Sequence, residues 1–362
     1  MMFSTRRLRS TGRTVKRILS SDARGNPVIT NERRRVSRGL GASPIRIAII
    51  GAGTVAHHHL KVLKAFDDVE IVGLANRGRT DISSLAHQYG IDRTFGDWRK
   101  MLEATSPDAV FVLVSVTEIA DVSASVLEMG FPCLIEKPAG LTSKETARLA
   151  DLAAKSGCLN MVGLNRRYYS SIDNALSAIY ERGPLMGIVV EANEPIESLR
   201  RNSRHNSDVI DRWLIANSIH PIDLIRRCCG EVRQTDTLRR AWKQIAPDSY
   251  NSSFATERGV LGTFIAHWQS VPGWRLSLYG DGVRIALSPL EQGEIIYSNG
   301  DRKAVPVDEV DLKFKPGFYA QDAAFLESLA NHEPALPPGS DLADQVQTMQ
   351  LIEGIAGYPG SR

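Results

Sequence analysis

A short apolar run that leads directly into a glycine-rich turn constrains this chain more than any other feature. The run is Ile45–Ile50, and its nearly continuous apolar character is typical of a parallel strand buried on both faces. It is followed by Gly51-Ala52-Gly53-Thr54-Val55-Ala56, a G-x-G-x-x-A sequence. Gly51 permits a tight turn, Gly53 lets the backbone approach a pyrophosphate, and Ala56 lets the next helix pack close to the strand. The motif therefore predicts a dinucleotide-binding turn.

The segments after the turn support this interpretation. An amphipathic helix is predicted first, with Val55, His59 and Leu63 on one apolar stripe, and a second apolar strand follows at 69–74. Free N–H groups at the start of a helix bind anions, so the pyrophosphate is expected there. The predicted contacts to it are Gly51, Gly53, Thr54 and Val55.

The end of the second strand indicates which dinucleotide binds. Chains that bind NAD usually carry an acidic residue there, which takes the ribose 2′-hydroxyl. Here the segment reads Ala75-Asn76-Arg77-Gly78-Arg79 and contains no acid. Asn76 lies near the expected position, and forked hydrogen bonds from Arg77 and Arg79 could hold a 2′-phosphate. The pattern favours NADP(H). NAD(H) stays the alternative, because both arginines could be ordinary solvated loop residues.

The charge of the chain is divided between a basic tail and an acidic body. Residues 1–44 contain eleven Lys and Arg and two acids, so the remaining residues contain 33 basic and 39 acidic side chains. The body therefore lacks the basic balance expected of a nucleic-acid-binding fold. The tail is predicted either to be a disordered arm or to be the product of a start codon assigned too far upstream. A partner-binding arm and a transit peptide are its alternatives.

Cysteine and histidine usage predicts a reducing compartment and no metal site. The four cysteines contain no C-x-x-C pair, which favours reduced thiols and a cytoplasmic protein. His57-His58-His59 cannot converge on one ion, because successive helical side chains point about 100° apart. His59 is predicted to be a packed core histidine. No apolar run reaches the roughly 18 residues that a membrane helix needs.

Two further motifs follow the next predicted strands. Glu136-Lys137-Pro138 ends an apolar segment, and Asn165-Arg166-Arg167-Tyr168 ends another. Together with the glycine turn, in this order and spacing, they resemble the Gfo/Idh/MocA family of oxidoreductases over about residues 45–358. The resemblance implies an α/β chain with an N-terminal Rossmann domain, followed by an α+β domain with an open, largely antiparallel sheet.

The domain organisation follows from the same resemblance. We expect a tail at 1–44, a Rossmann dinucleotide-binding domain at 45–165, a substrate and dimerisation domain at 166–340, and a C-terminal helix and tail at 341–362. The later part of the chain supports a second sheet, because it contains several β-like runs separated by turn signals. These runs are Arg233–Arg239, Ser252–Glu257, Gly262–Trp268, Trp274–Tyr279, Val283–Leu287 and Glu294–Tyr297. In the family the outer face of this sheet often joins subunits, which implies a homo-oligomer.

The resemblance also implies the site residues. Lys137 corresponds to a lysine beside the nicotinamide C4, where an ammonium can stabilise and relay the charge of a reacting hydroxyl. His220, in a block resembling D-x-G-x-H-x-x-D-L, could act as acid or base, and Asp223 could orient it or cap the local turn. The further expected cofactor contacts are Ser115, Thr117, Glu136, Lys137, Asn165 and Arg167. The expected substrate contacts are Tyr168, Asn217 and Asp223.

This chain departs from the family pattern at one catalytic position. The aspartate four residues before the histidine is replaced by Ala216, whose methyl group cannot transfer a proton. Lys137 and His220 could suffice, another acid such as Asp211 could substitute, or catalysis could be lost.

The sequence therefore predicts an NAD(P)-dependent oxidoreductase that moves hydride between nicotinamide C4 and a hydroxyl or ketone carbon of a sugar, nucleotide-sugar or cyclitol. The alternative is a nucleotide-binding sensor that has kept the fold and lost turnover. Neither interpretation involves nucleic acid or a membrane.

Overall fold

A computed structural model describes residues 43–77, 82–202, 206–243 and 246–358, together with the two short strands β1 (Ser20–Ser21) and β2 (Pro27–Val28). These two strands pair in an antiparallel manner. The rest of the predicted tail at 1–44 lies outside the described residues.

The N-terminal domain is built on a parallel sheet of six strands. The strands are β3 Ile45–Ile50, β4 Val69–Ala75, β5 Thr94–Phe95, β6 Ala109–Val112, β7 Cys133–Glu136 and β8 Asn160–Gly163. The connecting helices are α1 Thr54–Leu63, α2 Ser83–Gln88, α3 Trp98–Thr105, α4 Ile119–Glu128 and α5 Ser143–Ser156. The strand order is β5-β4-β3-β6-β7-β8, so β3 lies at the point where the connections change direction. Ligands bind at such switch points, at the carboxyl ends of the strands.

The burial of β3 confirms that both faces of this sheet are covered. Ile47 and Ile49 are fully buried in one core, while Ala48 and Ile50 are buried in the other. The second of these cores continues into the C-terminal domain, where it includes Ile188. The glycine turn is therefore anchored to a strand that connects the two hydrophobic layers of the molecule.

The C-terminal domain contains an open, mostly antiparallel sheet, as expected, and this sheet has eight strands. After the 3₁₀ turn Asn165–Tyr168 and helix α6 (Ser170–Tyr180) come β9 Gly187–Asn193, β10 Val232–Arg240, β11 Ser249–Thr256, β12 Leu261–His267, β13 Gly273–Gly280, β14 Val283–Leu287, β15 Gly293–Tyr297 and β16 Arg302–Ala304. The order is β10-β11-β12-β9-β13-β14-β15-β16, and only the β9–β12 pair is parallel. The six predicted strands are confirmed. The central strand β9 is not among them, because its partners β12 and β13 are distant in the chain and leave no local signal.

The last helices return to the N-terminal domain. The remaining helices are α7 Ile196–Asn202, α8 Ser207–Asp211, α9 Trp213–Ala216, α10 Ile219–Cys229, α11 Glu309–Lys313, α12 Phe318–Asn331 and α13 Leu342–Ala356. Helix α12 packs on α1, and α13 packs on α5 and α10. The Leu342 N–H donates to Asn160 Oδ1 at 2.8 Å, and the Val162 N–H donates to the Ser340 carbonyl at 2.7 Å. The segment after 340 thus closes the chain against the Rossmann sheet.

A buried ion cluster joins three of these elements. His59 on α1 is fully buried, and its Nδ1 lies 2.9 Å from Oδ2 of Asp322 on α12. Its Nε2 lies 3.6 Å from Oε1 of Glu136, at the end of β7. Burial alone would lower the pKa of His59, but the two carboxylates outweigh it and raise that pKa to about 9. The predicted core histidine is therefore a buried imidazolium at neutral pH.

We expect His59→Gln to destabilise the protein strongly, because it leaves two buried carboxylates without their cation. The expected loss in the free energy of unfolding at pH 7 is about 3 kcal/mol. Since the folded-state pKa of His59 lies above its unfolded value, its contribution is complete below about pH 6.5 and is lost as the pH rises through 9. Urea unfolding of wild type and H59Q at pH 6.5 and pH 9.5 measures both effects.

The control is His57→Gln, which changes an exposed histidine on the same helix and should cost less than about 0.5 kcal/mol. An equal destabilisation by H59Q at the two pH values would contradict the charged state assigned to His59.

Candidate functional site

A cleft of about 870 Å³ opens at the carboxyl ends of the N-terminal strands, against the start of the second domain. It is lined by the glycine turn, by the ends of β4, β6 and β7, and by residues that precede α10. The lining residues include Gly51, Gly53, Thr54, Val55, Asn76, Arg77, Ser115, Glu118, Glu136, Lys137, Trp213, Ala216 and Asn217. Most of the predicted cofactor contacts therefore share one cavity.

The glycine turn leaves room for a large anionic group. Gly51 has φ +109°, and a Cβ added there would lie 2.3 Å from the Leu113 carbonyl oxygen, so only glycine fits. A Cβ at Gly53 would meet no atom within 4 Å, so the backbone is open to the cleft. Helix α1 starts after Gly53 without a side-chain cap. Its first N–H groups therefore face a cradle that fits a dinucleotide pyrophosphate.

A small polar network follows the end of strand β4, at the edge of the cleft. Arg77 Nη2 donates to Glu118 Oε1 at 2.8 Å, and Ser115 Oγ donates to the other oxygen of Glu118 at 2.9 Å. Thr117 is not among the lining residues, but its hydroxyl lies 3.1 Å from Ser115 Oγ. Arg79 lies outside the described residues. Glu118 was not predicted as a site residue, although Ser115 and Thr117 of the same loop were.

Lys137 lies where the cleft meets the second domain. Its Nζ donates to the Ala216 carbonyl at 3.1 Å, and its backbone N–H donates to Glu136 Oε2 at 3.1 Å. The pKa of Lys137 is lowered to about 8, mainly by burial. The cations Arg166 and Lys315 add to this effect, and the carboxylates of Glu136 and Glu194 oppose it. The amine is therefore poised to gain or lose a proton near neutral pH.

His220 lies in the first turn of α10 and is buried. Burial is the main cause that lowers its pKa well below 6.5, and the cations Arg166, Lys137 and Lys315 add to it. No side chain or backbone group of the described residues hydrogen-bonds to its Nδ1. The imidazole is therefore neutral at pH 7. In this form it can accept a proton or form hydrogen bonds, so its acid–base role stays a prediction.

The acid that the sequence lacks at position 216 is not replaced by Asp211. Asp211 is half exposed and forms a surface ion pair with Arg200 at 2.8 Å. A different carboxylate, Glu194, is buried just after β9. It accepts hydrogen bonds from Ser218 Oγ at 2.8 Å and Asn217 Nδ2 at 3.1 Å. Glu194 was not predicted, because the strand that positions it was not predicted.

Arg167 and Asp223 form a buried ion pair and do not line the cleft. Arg167 Nε and Nη2 each lie 2.6 Å from a carboxylate oxygen of Asp223, and Thr348 on α13 donates to the same carboxylate at 2.8 Å. The structure therefore does not bring Arg167 or Asp223 into the lining of the cleft, and their expected contacts with cofactor, substrate and His220 stay predictions. The pair instead joins the 3₁₀ turn, α10 and α13.

Two other residues of the same motif are also directed elsewhere. Asn165 Nδ2 donates to the Pro316 carbonyl at 2.9 Å, and Tyr168 lines a separate cavity beside α12. The expected cofactor contact of Asn165 and substrate contact of Tyr168 are therefore not supported. Arg166 is the member of the motif that points toward the site, with its guanidinium 4.5 Å from the centre of the Trp274 ring.

Neither a metal centre nor a membrane span emerges from the described residues. Among them, no group of three His, Cys, Asp or Glu side chains is arranged to hold a metal ion. No helix in the described part of the chain is long and apolar enough to cross a membrane.

The N-terminal domain matches a known family. The model for GFO_IDH_MocA, described as "Oxidoreductase family, NAD-binding Rossmann fold", matches residues 45–164. D-glucoside 3-dehydrogenase of Escherichia coli (strain K12) is 30% identical over 128 residues, which cover 35% of this chain and 36% of that protein. The first three curated relatives are matched over only 36 to 40% of their length.

Longer alignments and solved structures extend the similarity to the second domain. Inositol 2-dehydrogenase 2 of Paenarthrobacter aurescens (strain TC1) is 25% identical over 82% of this chain and 92% of that protein. The structure of levoglucosan dehydrogenase in complex with NADH has a TM-score of 0.73 at 16% identity, and the match covers 87% of this chain and 96% of that chain. Residues 45–164 therefore match the model of the Gfo/Idh/MocA oxidoreductase family, and the chain as a whole shares its fold with solved structures that include a Gfo/Idh/MocA family oxidoreductase from Vibrio cholerae.

Proposed function

We propose that this chain is an NAD(P)-dependent dehydrogenase or reductase. It would interconvert a hydroxyl and a ketone carbon of a sugar, nucleotide-sugar or cyclitol. The observation that carries the proposal is the position of Lys137, whose amine stands between the glycine-turn cleft and the second domain. The names of the relatives, a glucoside dehydrogenase and an inositol dehydrogenase among them, support this substrate class.

The residues around Lys137 suit proton transfer at a reacting hydroxyl. A bound nicotinamide dinucleotide supplies the hydride acceptor or donor. In the oxidation direction, the neutral amine of Lys137 takes the hydroxyl proton; in reduction, the ammonium returns it. With its pKa near 8, both forms of Lys137 are present around neutral pH. His220 stays neutral and holds the substrate oxygen by a hydrogen bond.

The comparisons do not support the non-catalytic alternative. The relatives named above are dehydrogenases, and the matched family is an oxidoreductase family. Ala216 therefore marks a changed set of catalytic groups rather than a lost activity.

We infer that the cofactor is NADP(H) in preference to NAD(H). The support is the absence of an acid at the end of β4 and the presence of Arg77 at the edge of the cleft. The contact between Arg77 and Glu118 keeps NAD(H) as the second candidate, since the carboxylate offsets part of the arginine charge.

We further infer that the outer face of the eight-stranded sheet joins two copies of the chain. Leu238 and Leu261 are 75% and 66% exposed on this face, opposite the side that packs on α6 and α10.

The four cysteines are buried free thiols, which supports the expectation of a reducing compartment such as the cytoplasm.

Arg77→Gln should weaken NADPH binding about tenfold, because one charge-assisted contact to the 2′-phosphate is removed. NADH affinity should change less than about threefold, since NADH has no such phosphate. Fluorescence titration of wild type and variant with both cofactors measures this. Arg148→Gln is the control, because it removes another exposed arginine paired with a carboxylate, Asp121. Equal losses for NADPH and NADH would contradict the preference.

Lys137→Met should abolish turnover while preserving cofactor binding. We expect kcat to fall by about 10²- to 10⁴-fold, because proton transfer at the reacting oxygen is lost. The assay uses whichever glucoside, inositol or nucleotide-sugar the wild type oxidises fastest, with NADPH affinity measured in parallel. Lys144→Met, at an exposed position on α5, is the control. A K137M enzyme that keeps more than about a tenth of the wild-type kcat would exclude the role of Lys137.

A further inference from the structure

We propose that Glu194 is the counter-charge of Lys137, a positioning residue that sets the protonation state of the catalytic amine from beneath Asn217. This inference rests on the proposed function in giving Lys137 a catalytic role. Ala216 provides no carboxylate. The negative charge near Lys137 is instead supplied by Glu194, which follows β9.

The carboxylate of Glu194 is held in place by neutral donors. Oε1 accepts hydrogen bonds from Ser218 Oγ at 2.8 Å and from Trp274 Nε1 at 3.0 Å, and Asn217 Nδ2 lies 3.1 Å from each oxygen. The indole and amide N–H groups can only donate, so the oxygens that face them must accept. This arrangement favours the ionised carboxylate and opposes the rise in the pKa of Glu194 that burial causes.

A short chain of contacts connects this carboxylate to Lys137. Asn217, which holds Glu194, directly follows Ala216, and the carbonyl of Ala216 accepts the hydrogen bond from Lys137 Nζ at 3.1 Å. Both Ala216 and Asn217 line the cleft. The carboxylate and the amine are therefore held by two consecutive residues of the cleft wall.

The charges that act on Lys137 come from several elements. Arg166 on the 3₁₀ turn and Lys315 before α12 disfavour the ammonium, whereas Glu136 on β7 and Glu194 after β9 favour it. His220 on α10 is neutral and adds no charge. Two carboxylates therefore oppose two cations and the effect of burial.

The two carboxylates differ in whether their charge is already balanced. Glu136 has the larger effect on Lys137, but it lies 3.6 Å from the imidazolium of His59, which it shares with Asp322 and which offsets part of its charge. Asp211, the acid considered from the sequence, is paired with Arg200. Among the described residues, Glu194 has no cation within salt-bridge distance, and every donor to it is neutral. The negative charge of the Glu194 carboxylate is therefore available to stabilise the ammonium of Lys137.

The first test measures the protonation of Lys137 without turnover. Lysines are reductively ¹³C-methylated, and the Lys137 signal is assigned by its absence in K137M. NMR titration should place its pKa near 8 in the wild type. In Glu194→Gln we expect this pKa to fall by about half a unit to one unit, because one negative charge is removed. The matched control is Glu191→Gln, which removes a partly exposed carboxylate that is paired with Arg275 on the same sheet.

The second test is kinetic. The acid limb of kcat/KM for oxidation should move to lower pH in E194Q by the same amount, and Ala216→Asp in the E194Q background should restore it. Thermal unfolding and NADPH affinity verify that each variant is folded. If E194Q does not fold, Glu194→Asp, which retracts the charge by one methylene, should give a smaller shift of the same sign.

The outcomes separate this inference from the proposed function. An unchanged pKa of Lys137 in E194Q overturns the role of Glu194, even if kcat or thermal stability falls, because a structural role alone would have that result. If the pKa of Lys137 falls in E194Q but the wild-type protein oxidises no tested polyol, the role of Glu194 is supported and the proposed reaction is contradicted.

Discussion

A single buried positive charge, on His59, holds together the parts of this molecule that form its site. The imidazolium lies between Asp322 on α12 and Glu136 at the end of β7, while its own helix starts at the glycine turn. Removing any of the three groups would leave an unpaired charge in the core, which is far more costly than losing an exposed contact. The glycine turn, the strand that precedes Lys137 and the returning C-terminal helix are therefore fixed relative to one another by one electrostatic cluster.

The same balance of burial and charge controls the reactive amine. Burial lowers the pKa of Lys137, and neighbouring cations add to this effect, whereas Glu136 and Glu194 oppose it. The result is an amine that titrates near 8 instead of 10.5. His220 has no such carboxylate to stabilise its charged form, so burial keeps it neutral. The two basic groups therefore differ in charge near neutral pH, where Lys137 is close to its pKa and His220 is neutral.

The sequence predicted those features whose signals are local. The glycine turn and Glu136-Lys137 each follow an apolar strand, and parallel strands bring their carboxyl ends to one edge, so their convergence on the cleft could be predicted. Glu194 could not, because its partners Asn217 and Trp274 are 23 and 80 residues away. Similarly, the family resemblance predicted that Arg167 contacts the cofactor. In the structure, Arg167 is instead held in the core by Asp223, which is 56 residues away in the chain. Local patterns predict strands and turns, whereas buried ion pairs depend on tertiary contacts.

The most direct measurement is a crystal structure of the protein grown with NADPH. The account predicts electron density for the pyrophosphate against the backbone of Gly51–Val55 and for the nicotinamide ring beside Lys137. It also predicts the 2′-phosphate on the side of Arg77. A dinucleotide bound with its nicotinamide ring away from Lys137, or a cleft that stays empty at saturating NADPH, would contradict the assignment of this cleft as the active site.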